Sequence, residues 1–181
     1  GQGWSDAQSA PYREDKGSQY EGGIRVPAFI RAPDSSGAGS ISNSLLTVMD
    51  VMPTIMQLAG IEEQSTNAAG DTVLPIRGKS FAALMQDQDY EVHAGEYIPL
   101  DDGTQSIVMH EDWKIVRDAF ADEWQLFSIS QNPTETEDVA AQHPELVAEL
   151  AAEFEAHAAT AGILRRERPP EGGQAGGMGA P

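Results

Sequence analysis

One short apolar run limits the folds that this chain can adopt. Residues 24–30 read Ile-Arg-Val-Pro-Ala-Phe-Ile and follow a pair of glycines. Such a run is typical of a strand that is buried on both faces of a parallel sheet. Parallel neighbours need crossover segments of a dozen or more residues, yet no second run of this kind follows a helix. The sequence therefore predicts the edge strand of an α/β sheet whose other strands lie outside this chain.

The start of the chain agrees with this prediction. The first residue is Gly1 rather than Met, and neither a basic segment nor an apolar segment of a signal peptide follows it. We expect that a segment upstream is missing, so that the chain is the C-terminal piece of a larger protein. Proteolytic maturation is the alternative explanation.

Composition excludes several classes of protein. The 181 residues contain no cysteine, which excludes disulfide scaffolds, zinc–thiolate sites and thiol nucleophiles. The formal net charge of −18 repels phosphate backbones, so we expect no nucleic-acid partner. No apolar run approaches the roughly 18 residues that a membrane span needs, so we expect no membrane span.

The second half of the chain has the pattern of a small antiparallel sheet covered by a helix. Short runs rich in β-branched and aromatic residues alternate with tight turns, and they predict strands over Val92–Ile98, Gln105–His110, Trp113–Asp118 and Glu123–Ile129. The Asp101-Asp102-Gly103 turn lacks the alternating oxygen ligands of a calcium loop and predicts a hairpin. A final amphipathic helix should begin at Pro144 and end before Gly162.

The first half is less regular. The pattern predicts a loop over residues 1–23, a helix over 51–59 between Asp50 and Gly60, and a short helix over 80–85. We divide the chain into residues 1–88, which complete a catalytic α/β domain, residues 89–164, which form the sheet-plus-helix subdomain, and a disordered tail over 165–181.

Lys16 is the first candidate site residue. It lies five residues before Glu21-Gly22-Gly23, in a loop that leads into the predicted buried strand, where α/β proteins commonly bind ligands. A lysine ammonium can meet a sulfate or phosphate oxygen as a point charge. Most loop lysines are merely solvated, so the spacing alone leaves both interpretations open.

At these residues the sequence resembles a known family. Residues 11–27 are similar to the late signature of the type I sulfatases, the arylsulfatase family of the alkaline-phosphatase-like superfamily. Further similar segments follow in order and extend the resemblance to about residues 1–163: Gly1–Trp4, Asp50–Thr54, Leu58–Gly60, Arg77–Ser80, Asp112–Lys114, Trp124–Phe127 and Asn132–Glu135. The implied fold class is α/β, the edge of an alkaline-phosphatase-like core sheet, followed by a small α+β C-terminal subdomain.

The resemblance also implies a reaction. The family hydrolyses sulfate esters with a formylglycine nucleophile and a divalent metal, usually calcium, while His, Lys and Arg side chains contact the sulfate. Of these groups only the lysine falls in this chain, at Lys16, because no Cys/Ser-x-Pro-Ser-Arg motif and no matching metal-binding segment occurs. We expect calcium and formylglycine in the full-length enzyme, both from its N-terminal part, and no metal ligand in this chain. The family also suggests a periplasmic or secreted location.

Two further residues are candidates for substrate contact. Trp4 lies in the segment that leads to Lys16 and could line a pocket, and His93 lies where the first strand of the subdomain is predicted to begin. Metal ligation by the four histidines is disfavoured by their spacing, and Trp113 and Trp124 fit packing better than sugar stacking.

We therefore expect a sulfatase C-terminal portion that contributes a sulfate-contacting lysine and is inactive alone. Two alternatives remain open: a phosphonate or phosphate monoester hydrolase of the same superfamily, and a non-catalytic paralogue that binds an anion or a partner.

Overall fold

The computed structural model describes residues 2–32 and 39–163. Its contacts divide the chain into two compact units. The sheet unit runs up to Val26 and continues from Tyr97 onward, and the middle unit runs from Pro27 to Glu96. This division differs from the boundary predicted at residue 88, because the first 26 residues group with the C-terminal sheet. The tail predicted to be disordered, residues 165–181, lies outside the described residues.

The sheet unit contains a four-stranded antiparallel meander in the order β1-β2-β3-β4. The strands are β1 (Ile98–Asp101), β2 (Gln105–His110), β3 (Trp113–Asp118) and β4 (Gln125–Ser128). The predicted bounds of β2 and β3 are confirmed, and the predicted hairpin joins β1 to β2, with Gly103 at a φ of +79°. The carboxylate of Asp102 accepts the backbone N–H groups of Thr104 and Gln105, which explains why an aspartate starts this turn.

The first predicted strand is misplaced. Residues 92–95 form a turn instead of a strand, and Gly95 has a φ of +68° that strand residues do not adopt. The backbone N–H of Val92 donates to the side chain of Ser44 and not to a neighbouring strand. Pairing begins only at Ile98, which lies opposite Met109.

One face of the sheet is covered by α4 (Pro144–Ala161), as the amphipathic pattern predicts. Pro144 occupies the first turn of the helix, and Gly162 ends it in the left-handed conformation, with a φ of +71°. Leu150 and Phe154 are buried against the sheet core. The core on this face consists of the apolar side chains of three strands, Val108, Ile115 and Leu126.

The opposite face is covered by the N-terminal segment, which the sequence pattern did not predict. The predicted loop over residues 1–23 instead contains α1 (Gln2–Ser9), and it is followed by the short α2 (Glu21–Ile24). Tyr20, which is 2% exposed, packs edge-on against Phe127, with 6.2 Å between the ring centroids. The sheet is therefore buried on both faces.

The predicted strand over residues 24–30 has no strand partner among the described residues. Residues 25–32 have no strand pairing with the described residues, and Phe29 and Val26 are 101% and 78% exposed. The neighbours of this edge strand were predicted to lie outside this chain, so its pairing stays a prediction.

The middle unit is built around α3 (Val51–Ala59), with 3₁₀ turns at Val48–Asp50 and Ala82–Met85. The helix ends at Gly60 in the left-handed conformation, as predicted. Asp50 precedes the helix but its side chain makes no hydrogen bond to the first turn of α3. None of the helices in the described ranges combines the length and the apolar character that crossing a membrane requires.

Candidate active-site loop

Lys16 lies at the corner of a tight turn in the sheet unit. The turn is closed by the backbone N–H of Ser18, which donates to the carbonyl oxygen of Asp15 at 3.1 Å. Gly17 has a φ of +98°, which only glycine adopts at little cost. The Lys16 side chain is exposed and makes no ion pair with any residue of the described ranges. Its ammonium is therefore available to meet an anion.

The segment Arg13–Gly23, called here the Lys16 loop, closes on itself. The backbone N–H of Gly22 donates to the carbonyl oxygen of Arg13 at 2.9 Å. A Cβ atom at Gly22 would lie 2.0 Å from the carbonyl oxygen of Glu14, and one at Gly23 would lie 2.1 Å from that of Ser18. Because both neighbours are backbone atoms, the two glycines are required for this closed shape.

Polar side chains of the sheet hold the middle of the loop. The hydroxyl of Ser18 and the backbone N–H of Gln19 both donate to Oε1 of Gln105, at 3.1 and 2.6 Å. The hydroxyl of Tyr20 donates to Oε1 of Gln125. Burial raises the pKa of Tyr20 to about 12, against the opposing charge of Arg13, so this phenol remains a neutral donor at ordinary pH.

A buried ionic cluster holds the end of the loop. The Lys114 side chain is 0% exposed, and its Nζ lies 2.9 Å from Oε1 of Glu21 and 2.8 Å from Oε1 of Glu135. The second oxygen of Glu135 accepts the backbone N–H of Glu21 at 2.6 Å. The cluster therefore connects the Lys16 loop, strand β3 and the segment after β4.

Arginines extend this cluster at its edges. A guanidinium nitrogen of Arg25 lies 3.4 Å from Oε2 of Glu21, and Arg13 donates to the backbone carbonyl of Glu135 at 3.2 Å. Burial raises the pKa of Glu135, and the adjacent Lys114 ammonium opposes that rise. Glu135 also has a positive φ of 51°, an uncommon conformation that the surrounding contacts must support.

A cavity of about 320 Å³ lies beside the loop. It is lined by loop residues and by the ends of β2 and β3, among them the carboxylates of Glu14 and Asp118 and the ring of Phe120. Two carboxylates repel an anion, so this cavity is unsuited to a sulfate group itself.

His93 lies in a second polar cluster, within the middle unit. Its Nε2 is 2.9 Å from Oδ2 of Asp50, and its Nδ1 is 2.9 Å from Oε2 of Glu96. Oδ2 of Asp50 also accepts the backbone N–H of Thr47 at 2.6 Å, and Oδ1 accepts that of Lys79 at 2.8 Å. Because both ring nitrogens already have carboxylate partners, this geometry gives His93 a structural task, and its substrate contact stays a prediction.

The charges in this second cluster support one another. Burial by itself would lower the pKa of His93. The hydrogen bonds to Asp50 and Glu96 outweigh this effect, so the pKa of His93 is raised from its ordinary value. Burial by itself would raise the pKa of Asp50. The hydrogen bonds from His93, Lys79 and Thr47 outweigh this effect, so the pKa of Asp50 is lowered from its ordinary value. The Lys79 ammonium, 2.6 Å from Glu96, is the main cause of the lowered pKa of that carboxyl.

Comparison with known proteins identifies the family. Residues 13–160 match the family model described as "N-sulphoglucosamine sulphohydrolase, C-terminal". The chain belongs to the sulfatase family. It is 32% identical over 171 residues to an uncharacterised sulfatase of Schizosaccharomyces pombe, covering 89% of this chain and 30% of that protein. It is 30% identical over 142 residues to arylsulfatase K of Xenopus laevis, covering 75% of this chain and 26% of that protein.

Solved structures agree with the sequence relatives. The chain resembles the crystal structure of Ps i-CgsB with a TM-score of 0.68 and 25% identity, over 82% of this chain and 32% of that one. The chain thus spans about a third or less of the length of the proteins that it matches. The predicted fold class, an alkaline-phosphatase-like C-terminal region with a helix-covered antiparallel sheet, is confirmed.

The residues of this sulfatase chain do not fit the calcium or the formylglycine that the family implies. In residues 2–32 and 39–163, no three His, Asp or Glu side chains are grouped as a metal site requires. The sequence contains no Cys/Ser-x-Pro-Ser-Arg motif from which formylglycine could be made.

The remaining candidate is Trp4, which lies in α1 and is 77% exposed. No contact of Trp4 with the Lys16 loop is found among the described side chains, so its role in lining a substrate pocket stays a prediction. Trp113 and Trp124 pack against the sheet core, as predicted.

Sequence reasoning missed Lys114 and Glu135 as parts of the candidate site. Alternation along β3 indicates that Lys114 is buried, because Lys114 shares its sheet face with the buried Val116. A lysine on a face that must be buried needs a carboxylate partner. The pattern alone did not reveal that face as buried, because its cover lies about 90 residues earlier in the chain.

Proposed function

We propose that this chain is the C-terminal portion of a sulfatase that hydrolyses sulfate esters, and that Lys16 contacts the sulfate in the active site. The observation that carries the proposal is the geometry of the Lys16 loop. It presents an exposed ammonium at the corner of a turn, with no ion pair to residues 2–32 and 39–163, and buried contacts fix the turn on both sides. Family membership supplies the chemistry.

A fixed cation is useful in this reaction. Charge develops on the sulfate oxygens and on the leaving oxygen as the ester bond breaks. A preorganised ammonium stabilises that charge more strongly in the transition state than in the bound ester. The formylglycine nucleophile and the calcium ion would come from the preceding part of the enzyme. The family also suggests that the enzyme is periplasmic or secreted.

Exposed apolar surfaces support the view that this chain is part of a larger catalytic domain. The run over residues 24–30 pairs with no strand in the part of the chain that the structure describes, and α3 exposes more than half of the surface of Met52, Ile55 and Leu58. Patches of this kind usually mark a surface that another polypeptide covers. In this proposal they pack against the preceding part of the sulfatase, and this chain alone does not turn over substrate.

The test is the Lys16→Ala variant of the full-length enzyme. Removal of one preorganised electrostatic contact typically lowers the rate on the order of 10²–10³-fold, or about 2.7–4 kcal/mol. We expect a loss of this size in kcat/KM on an aryl sulfate, and poor rescue by Lys16→Arg, because the planar guanidinium differs in shape from an ammonium. Circular dichroism should show that each variant is folded.

Lys79→Ala is the matched control. It also removes a lysine, but one that is paired with Glu96, and a partly exposed ion pair contributes only about 0–1 kcal/mol. It should therefore keep nearly parental activity. If Lys16→Ala retains more than about a third of the parental kcat/KM, a loss below about 1 kcal/mol, Lys16 does not act on the sulfate. Faster turnover of an aryl phosphate than of the sulfate would instead favour a phosphate monoester hydrolase.

A further inference from the structure

Lys114 is a charged residue in an otherwise apolar part of the sheet. It lies opposite Phe127 in β4 and shares a face with Val116, and all three side chains are at most 1% exposed. An apolar residue could fill such a position without a partner, whereas a buried ammonium destabilises the fold unless it is paired. This arrangement calls for an explanation other than core packing.

The partners of Lys114 supply that explanation. One carboxylate, Glu21, belongs to the Lys16 loop, and the other, Glu135, follows β4. Glu135 also accepts the backbone N–H of Glu21, so the loop is bound through its side chain and through its backbone. Buried ionic groups of this kind are most useful where they specify one arrangement among several.

The fixed end of the loop is connected to Lys16 by a short closed path. Gly22 donates to the carbonyl of Arg13, which lies three residues before Lys16, and Arg13 itself donates to Glu135. Both ends of the loop therefore meet at the same cluster. A shift of Glu21 moves the base of the Lys16 loop, and with it the turn that carries Lys16.

We infer that Lys114 is a positioning residue for Lys16, which it holds in place through Glu21 and Glu135. The inference rests on the proposed function of Lys16. Lys114 does not touch the substrate, since its side chain is completely buried. Its task is to keep the ammonium of Lys16 at a fixed place, because a displacement of about 1 Å in a catalytic group can lower the rate on the order of 10²-fold.

Hydrogen–deuterium exchange in the full-length protein tests the first step. Two variants are compared, Lys114→Met and the milder Glu21→Gln, which leaves Lys114 paired with Glu135. In both variants, peptides covering residues 13–25 should exchange on the order of 10–100-fold faster than in the parent protein, because a bond to a charged group has been lost. Peptides from β2 are the internal reference and should change much less. Glu21→Gln keeps the test decisive if Lys114→Met does not fold.

Two control variants separate positioning from general destabilisation. Leu150→Ala creates a cavity on the opposite face of the sheet, so it should speed exchange in the loop and in β2 together. Glu153→Gln changes an exposed carboxylate of α4 and should leave both rates unchanged.

Kinetics on an aryl sulfate test the second step. Glu21→Gln should lower kcat by about tenfold or more and change KM by less than about threefold, since Lys16 is proposed to act mainly in the transition state. Leu150→Ala should not show this split at a temperature where it is folded.

The possible failures can be told apart. If the loop keeps its relative protection in both Glu21→Gln and Lys114→Met, the inference is wrong, whatever Lys16→Ala does. If the loop loosens while kcat stays unchanged, and Lys16→Ala is nevertheless inactive, Lys114 holds the loop without positioning the catalytic group, and the inference is again wrong. If Lys16→Ala remains active, the proposed function fails instead.

Discussion

Asp50 accepts more hydrogen bonds than any other side chain described in the middle unit, and its replacement by asparagine should weaken that unit strongly. The carboxylate is 0% exposed. Oδ1 accepts from the backbone of Lys79, and Oδ2 accepts from the backbone and hydroxyl of Thr47 and faces Nε2 of His93. Asparagine has one acceptor oxygen and one NH₂ group. In either orientation the NH₂ group meets a backbone N–H donor.

The expected loss follows from these contacts. One charge-assisted hydrogen bond disappears, at about 1.5–3 kcal/mol, and one buried N–H loses its partner, at about 1–3 kcal/mol. A central value of about 3–4 kcal/mol corresponds to a change in opening equilibrium on the order of 10²–10³. This exceeds the typical effect of a point mutation and has a named physical cause.

Hydrogen exchange of the α3 amides measures this loss within the middle unit. Protection factors of residues 51–59 should fall by the stated factor in Asp50→Asn and remain unchanged in the control Asp89→Asn, which alters an exposed aspartate of the same unit. A fall of less than about tenfold, or roughly 1.4 kcal/mol, would refute the view that the Asp50 contacts stabilise this unit.

Two further predictions concern the pH dependence of the middle unit and the packing of the Lys16 loop. The pKa of His93 is raised above 6.5 in the folded protein. Its contribution to the stability of the middle unit is therefore complete below pH 6.5 and is lost as pH rises through the folded pKa. Glu96 has the opposite dependence at acidic pH, because its pKa is lowered. Its contribution to stability is present above pH 4.5 and is lost as pH falls through the folded pKa. Protection of α3, corrected for intrinsic exchange, should thus decline as pH rises above 6.5 and through the folded pKa of His93 in the parent, but not in His93→Gln; equal declines in both would exclude His93 as the cause. Gly22→Ala places a Cβ atom 2.0 Å from the carbonyl oxygen of Glu14, so peptides over residues 13–25 should lose protection, and unchanged exchange would contradict the closed loop.

The elements that the sequence predicted correctly have local signals. The bounds of β2 and β3 follow from alternation and from the turns beside them, and the ends of α3 and α4 follow from Gly60 and Gly162. In each case the deciding residues lie within a few positions of the element. No distant partner is needed to locate it.

Elements that depend on distant partners could not be placed from the sequence alone. The run over residues 24–30 has the composition of a buried strand, and because its predicted neighbours lie outside this chain, its pairing stays a prediction. The start of the strand predicted over Val92–Ile98 was wrong, because Val92 and the three residues after it lie in a turn. Contacts of this turn with Ser44 and Asp50, more than 40 residues earlier, override the local preference.

The candidate site was predicted only in part, for the same reason. Lys16 and its glycines form a compact pattern that the family resemblance brings out. Lys114 and Glu135 act on the loop from 93 and 114 residues beyond Glu21. Only the structure shows that these three charges share one buried cluster.

The two units differ in what stabilises them, and this difference bears on the proposed function. The sheet unit buries apolar side chains on both faces of its sheet, whereas the described part of the middle unit buries two large apolar side chains, Met85 and Val92. Its other buried residues are Asp50 and Thr54, which accept and donate hydrogen bonds. Ordering a segment of this length costs roughly 1–2 kcal/mol of backbone entropy per residue, and hydrogen bonds contribute only about 1 kcal/mol each.

The polar contacts of the middle unit therefore specify its shape but do not supply enough free energy to hold it by themselves. The missing contribution is available on its own surface, where α3 and the neighbouring segments expose Met52, Ile55, Leu58 and Leu74. Burying apolar area contributes about 25 cal/mol per Å², so a cover over this face would stabilise the unit. A sulfatase in which this face packs against the preceding catalytic part would meet that requirement, and the same contact would link the stability of the middle unit to assembly of the active site.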